Sequence, residues 1–372
     1  MKAGNLARAY FKNIAQAALG SKHTLDTMVA TYYVTSMCNF RCSYCEHFSA
    51  DLNHLVKDKQ ASTDQAERIM EVIRKDCDVL YLTGGEPLLR NDIEELCLHA
   101  RSLDFAYLSL NTNGLLLPRR ERVLDAVDNV VISLDSLDTA KLDRLYGVGQ
   151  GTAQKVLDII AHYARHRAGR KYLLTVNCVV TPETVDEAEA VMEFCFAHGA
   201  EFSVSPQNQG VRPHPGLVGN PRYRRFMERL IAAKRAGKPV SGARIYYEHM
   251  REFTPFQCFP TLTARVDPEG NVSFPCRPLD EAGQIGGKAG NLLEVGSLRA
   301  VQALGKARFG ERIPCHDQCY MRCHAELSLL VRNPSKLFYE TTSYLARTIG
   351  RGGRAPDDGT APRAPSTTAA KV

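Results

Sequence analysis

No stretch of this 372-residue sequence comes near the roughly 18 to 20 uncharged apolar residues that a membrane-spanning helix needs. The N-terminus also lacks the compact apolar core and small-residue cleavage site of a signal peptide, so a cytoplasmic location is expected. Repeats are missing beyond a βα unit, and so is any collagen-like or coiled-coil bias. Hydrophobic residues at 44% and charged residues at 24% are those of a folded soluble chain. A large charge of either sign is absent too: the net charge of +6 permits nucleic acid as a partner without demanding it. Twelve cysteines break this run of ordinary values. A disulfide framework does not suit a reducing compartment, and the cysteines cluster unevenly, so metal ligation is the leading explanation.

The positive charge is placed at the ends. Lys2, Arg8, Lys12 and Lys22 face no acid before residue 26, and the tail holds Arg347, Arg351, Arg354, Arg363 and Lys371 against Asp357 and Asp358. On a helical period Leu6, Tyr10, Ile14 and Ala18 share one face while Arg8, Lys12 and Gln16 share the opposite one. A second such stretch runs over Ser335 to Ile349. Both helices are expected to pack on the body of the protein, and their basic, amphipathic character also allows peripheral contact with an anionic membrane and a lipid substrate.

From Tyr32 to Ser205 short β-rich runs alternate with longer amphipathic ones, the pattern of a parallel sheet. Six strands are expected: Tyr32 to Met37, Asp78 to Thr83, Ala106 to Asn111, Asn129 to Leu134, Tyr172 to Val179 and Glu201 to Ser205. Helices are expected near Thr63 to Lys75, Asp92 to Ser102, Arg119 to Ala126, Thr152 to His166 and Glu183 to His198, the first capped by Ser62 or Thr63. Six units are too few for the closed eight-stranded barrel. The fold class is therefore α/β, a partial (β/α)6 TIM-like barrel. After Pro206 a Gly/Pro-rich segment leads to a basic helix over Tyr223 to Arg235. Residues 254–330 are loop-rich and hold five cysteines and a hairpin turn at Asp267 to Gly270. From Gly350 onward the composition is that of a disordered tail.

Cys38, Cys42 and Cys45 form Cys-x3-Cys-x2-Cys directly after the first strand, at the end where parallel βα folds gather their chemistry. Three thiolates on one loop suit three corners of a 4Fe-4S cubane with the fourth iron open. A structural zinc wants a fourth ligand, and only His47 is near. Gly84-Gly85-Glu86-Pro87 ends the second strand, Asn111-Thr112-Asn113-Gly114 the third, and Ser133-Leu134-Asp135-Ser136 the fourth. Taken singly, each also reads as turn or strand-cap chemistry.

Together these motifs resemble the radical S-adenosylmethionine (radical SAM) superfamily, with Tyr44 as the aromatic residue before the last cysteine. The resemblance spans roughly residues 30 to 210. It implies a SAM-binding 4Fe-4S cluster on Cys38, Cys42 and Cys45, and SAM contacts from Tyr44, Gly84, Gly85, Glu86, Asn111, Asn113, Ser133, Asp135 and Ser205. The glycines allow close backbone approach, and Glu86 offers a carboxylate to the amino group of the methionine moiety. The implied chemistry is reductive cleavage of SAM to a 5′-deoxyadenosyl radical that abstracts hydrogen, with an electron donor such as flavodoxin or ferredoxin.

Cys258 and Cys276 flank the hairpin, and Cys315, Cys319 and Cys323 follow. This set resembles the twitch, or shortened SPASM, extension of certain radical SAM enzymes and implies a second, auxiliary 4Fe-4S cluster, although five residues rather than the usual four separate Gly270 from Cys276. A structural zinc is the alternative. Cys77, Cys97, Cys178 and Cys195 are expected as buried hydrophobes. The resulting division is an N-terminal helix (1–27), the radical SAM core (28–210), a linker with the basic helix (211–253), the auxiliary domain (254–330), a C-terminal helix (331–349) and the tail (350–372).

Too few residues precede the first strand for the leader-binding domain of many peptide maturases. A small-molecule substrate is therefore expected, with dehydrogenase-type oxidation ahead of peptide maturation or a non-catalytic cluster or zinc protein. Nucleic acid is not the expected partner, since no aromatic residues interleave the basic helix.

Overall fold

The computed structural model describes residues 2–19, 24–45, 60–166, 172–209, 212–276, 286–311 and 319–336. His47, Cys315, the side chain of Leu6, the helix expected beyond residue 336 and the tail from Gly350 lie outside the described residues.

A first helix, α1 (Lys2–Ala18), precedes six strands: β1 (Val29–Tyr33), β2 (Val79–Thr83), β3 (Tyr107–Thr112), β4 (Asn129–Ser133), β5 (Leu173–Val180) and β6 (Glu201–Pro206). They pair in parallel in chain order. The connections carry α2 (Thr63–Asp76), α3 (Ile93–Ser102), α4 (Val123–Ala126), α5 (Thr139–Leu145), α6 (Thr152–Arg165) and α7 (Ala188–His198). Because side chains alternate along a strand, Tyr32, Leu82, Leu110 and Ile132 are sealed under the helices. Their neighbours Tyr33, Thr83, Asn111 and Ser133 stand half-buried on the opposite face.

Each expected strand is present. The first ends at Tyr33 instead of Met37, because the chain turns out of the sheet into the cysteine loop. The helix expected over 119–126 is a 3-10 turn, Leu117–Arg119, followed by α4. Pro118 opens the turn and Arg120 leaves helical geometry at φ −131°. The helix α5 was not anticipated, being short. Asp138 caps it by accepting from Lys141 N at 3.0 Å. For α2 the cap is Ser62, in a reciprocal box with Gln65.

Beyond the small hairpin β7 (Asn208–Gln209) and β8 (Arg212–Pro213) lie α8 (Pro221–Arg235) and α9 (Arg244–Glu252). Four of the five arginines of α8 are engaged by acids of neighbouring elements: Arg222 with Asp186 at 2.6 Å, Arg224 with Glu252 at 2.7 Å, Arg235 with Glu248 at 2.9 Å, and Arg229 with Glu189.

The C-terminal third is less loop-like than its composition suggests. It builds β9 (Thr263–Val266), β10 (Asn271–Phe274) and β11 (Gly287–Asn291), then α10 (Leu292–Val295), α11 (Leu298–Phe309) and α12 (Arg322–Arg332). The strand β9 pairs in parallel with β1, so among the described residues one sheet runs β11-β10-β9-β1-β2-β3-β4-β5-β6. Thr261 fixes this junction: its hydroxyl accepts from Leu25 N at 2.8 Å and donates to Leu25 O at 2.7 Å.

At the other edge Phe202 of β6 bridges to Val240. The helix α12 reaches from Ser241, beside β6, to Thr263 at the start of β9. Arg322 reaches Ser241 Oγ at 3.2 Å on one side, and Thr263 Oγ1 donates to Cys323 O at 2.8 Å on the other.

The helix α1 covers one end of the sheet. Ala17 and Asn13 are buried, and Tyr10 and Ile14 pack with Val29, Val79, Leu262 and Val331. The expected face is rotated: Ala18 is exposed, and the polar Asn13 takes a buried place because its amide pairs reciprocally with the backbone of Asp26, at 3.0 Å in each direction. Tyr10 and Ile14 of the expected apolar line thus face the sheet, while Phe11 and Leu19 lie outward beside Arg8 and Lys12.

Candidate functional site

The cysteine loop is built by backbone pairing. Thr35 O accepts from Gly85 N at 2.9 Å, and Met37 O accepts from Glu86 N at 2.7 Å. A Cβ on Gly84 would lie 2.5 Å from Thr35 O, and one on Gly85 would lie 2.2 Å from Met37 O. Chain-to-chain contact is thus what requires these glycines, a constraint the sequence reading had attached to the ligand. Both remain partly exposed. Farther along the loop, Arg41 N donates to Tyr146 O at 2.8 Å and Ser43 N to Leu145 O at 2.9 Å, which docks the cysteines on the end of α5.

Cys38, Cys42 and Cys45 are all half-buried on this loop. Burial pushes the Cys38 thiol up to about 11 and the Cys42 thiol higher still, with Cys45 raising both. Thiolates at Cys38 and Cys42 would need positive charge beside them, which iron would provide. The donor set fits a site-differentiated cubane.

Glu86 is wholly buried. Its Oε1 accepts from Leu88 N at 2.9 Å and Thr112 Oγ1 at 2.7 Å, and its Oε2 accepts from Asn113 N at 2.6 Å. The side chain therefore braces the ends of β2 and β3. Burial raises its pKa to about 7 despite these bonds. Asn113 is likewise employed, with Nδ2 on Asn39 Oδ1 at 2.8 Å and Oδ1 accepting from Leu115 N at 3.1 Å.

Asp135 is also fully buried and raised by burial to about 6. It accepts from Tyr44 Oη at 2.5 Å and Val179 N at 2.7 Å. The half-buried polar groups left near these strand ends are Asn111, Ser133 and Ser205. Asn177, directly across from Ser133, joins them and accepts from Ser203 Oγ at 3.0 Å and Ser205 Oγ at 3.4 Å. Sequence reading passed over Thr112, Tyr146 and Asn177. Thr112 lay inside a motif already singled out, and Asn177 follows only from register.

Of the C-terminal cysteines, Cys258 lies against α12, the helix that carries Cys323 near its start. Ser328 Oγ of that helix lies 3.9 Å from Cys258 Sγ and accepts from Phe259 N at 2.9 Å. Cys276 ends the β10 strand region, buried, and Cys319 precedes α12. Burial works against a Cys323 thiolate, but the buried His324 beside it prevails and holds the thiol below its ordinary range. No group of three or more His, Cys, Asp or Glu converges as a single-ion site among the described residues. The lone cysteines 77, 97, 178 and 195 are all buried.

A mostly parallel sheet with helices, a loop of three cysteines after its β1 strand and polar groups at its strand ends define a class. Residues 32–195 match the radical SAM superfamily, so this part of the chain is a radical SAM domain. Among curated relatives it resembles a GTP 3′,8-cyclase of Mycobacterium sp. (strain KMS), 29% identical over 180 residues, 47% of this chain and 50% of that one. The chain thus matches about half the length of such relatives. Among solved structures it is similar to Streptococcus suis SuiB bound to S-adenosylmethionine, with a TM-score of 0.57 at 19% identity over 75% of this chain and 68% of that one. It is also similar to anSMEcpe with bound AdoMet, with a TM-score of 0.56 at 15% identity over 87% and 98%. At these identities the structures attest the fold alone. No described helix is long and apolar enough to cross a membrane.

Proposed function

We propose that the chain cleaves S-adenosylmethionine reductively and abstracts hydrogen from a small-molecule substrate. The observation that carries this reading is the docking of the Cys38–Cys45 loop against the Gly84–Glu86 turn, beside the polar ends of β3 to β6. When bound, the 4Fe-4S cluster supplies the electron that breaks a carbon–sulfur bond of SAM and so yields the 5′-deoxyadenosyl radical.

The protein's part is to hold and enclose. Cys38, Cys42 and Cys45 ligate three irons. The Gly84–Gly85 turn, braced from behind by Glu86, receives the methionine end, and Asn111, Ser133, Asn177 and Ser205 offer hydrogen-bonding groups to the ribose and the edge of the adenine. The helices α1 and α12 close the opposite end of the sheet, at the first residues of β1 and β2. Cys258, Cys276 and two of Cys315, Cys319 and Cys323 would hold an auxiliary cluster and supply a second redox centre, with a flavodoxin or ferredoxin as the protein's electron donor. Curated relatives named for GTP favour a small molecule over a peptide. The test is anaerobic reconstitution with dithionite and SAM. Wild type is expected to form 5′-deoxyadenosine, and a Cys38→Ala/Cys42→Ala/Cys45→Ala variant none; deoxyadenosine from that variant would overturn the reading.

A further inference from the structure

The cysteine loop is tied to the scaffold at three levels. Its entry is paired through Thr35 and Met37 with the Gly84–Glu86 turn. Its middle is paired through Arg41 and Ser43 with residues 145 and 146, where the Phe40 ring also meets the Tyr146 ring at 5.4 Å. Its last turn, closed by Cys45 N on Cys42 O at 3.0 Å, carries Tyr44, whose hydroxyl donates to Asp135 at 2.5 Å.

Asp135 itself does not swing. Its other oxygen is held by Val179 N at 2.7 Å, so the carboxylate is fixed to the end of β5. It has no exposed surface, and both of its oxygens are engaged by protein donors. A carboxylate so placed is badly suited to receive ribose hydroxyls and well suited to hold a phenol.

We infer that Asp135 is a positioning residue for the SAM-binding cluster: through Tyr44 it latches the turn between Cys42 and Cys45 to the ends of β4 and β5. The motif residue at the end of β4 thereby acts on the iron site from behind. A carboxylate that orients a ligand-bearing turn belongs to the outer layer of a metal site, where substitution typically loosens the metal by roughly tenfold or more. The latch also sets Cys45 relative to Ser133 and Ser205, so the same bond registers the cluster against the surface where SAM is proposed to lie.

The inference rests on the proposed ligation by Cys38, Cys42 and Cys45, and the experiment separates the two. Full-length wild type, Tyr44→Phe, Asp135→Asn and the double variant are reconstituted anaerobically. The SAM-responsive part of the reduced-cluster EPR signal is then followed during challenge with an iron chelator, alongside the SAM dissociation constant. Tyr44→Phe keeps the buried ring and removes only the hydroxyl. It is expected to lose the SAM-responsive signal roughly tenfold faster than wild type, while its SAM affinity before the challenge stays within about twofold. Asp135→Asn, whose amide nitrogen can still donate to Tyr44 Oη in a weaker, uncharged bond, is expected to fall between wild type and Tyr44→Phe, and the double variant to be no faster than Tyr44→Phe, since both residues act through one bond.

Wild-type kinetics in Tyr44→Phe overturn the latch, as do multiplying effects in the double variant. A loss of SAM affinity confined to Asp135→Asn would make that residue a direct ligand. Absence of any SAM-responsive signal in wild type would instead remove the ligation itself.

Discussion

Glu86 shows how a single buried carboxylate leaves a mark on the whole chain. Burial raises its pKa from 4.5 to about 7 against three hydrogen bonds, so in the folded state it keeps its proton to higher pH than in the unfolded one. Between those values the unfolded chain binds fewer protons, and stability falls as pH rises, by roughly 3 kcal/mol across the window. Asp135, raised from 3.8 to about 6, adds in the same direction. Urea denaturation of the cluster-free chain is therefore expected to give a lower midpoint at about pH 8 than at about pH 5, with the difference reduced in Glu86→Gln, which has no charge to bury. An unchanged difference in that variant would assign the slope to other groups. From sequence alone both carboxylates read as ligands for SAM. Composition and motif reveal a carboxylate's place in the chain, but whether its lone pairs are already filled by Thr112, Asn113 and Leu88, or by Tyr44 and Val179, depends on tertiary packing.

Among the elements, α1 and α12 separate what local pattern reveals from what it hides. The apolar period of α1 identifies it as a helix, yet the buried line includes Asn13 because the backbone of Asp26 happens to complement its amide. Removing that complement leaves buried backbone groups unpaired. Asn13→Ala is expected to cost about 1 to 3 kcal/mol in chemical denaturation with iron content unchanged; a change within error would mean that water replaces the amide freely. The parallel strands were readable because their β-rich runs recur with helices between them. The strands β9 to β11 were partly hidden: the hairpin turn at Asp267 to Gly270 was evident, but pairing of β9 with β1 joins residues far apart in sequence. No local signal encodes such a register. The same limit applies to α12, whose placement depends on Ser241 and Thr263 together.

For the molecule as a whole, iron content tests the two-cluster reading. Two cubanes give about eight irons per chain, and loss of the three loop cysteines should leave about four. Zinc with only four irons in wild type would point to a structural metal in the C-terminal third. The junction of β9 with β1 carries a further consequence, in time. During synthesis β1 emerges early and finds β2 on one side, but its other edge waits until Thr263 to Val266 have left the ribosome. At about 5 to 20 residues per second that interval is roughly 10 to 50 seconds. Throughout it the nascent chain carries an unpaired strand next to its cysteine loop, so the period of greatest exposure to faulty pairing is also the period in which the loop is most open to an iron-sulfur donor.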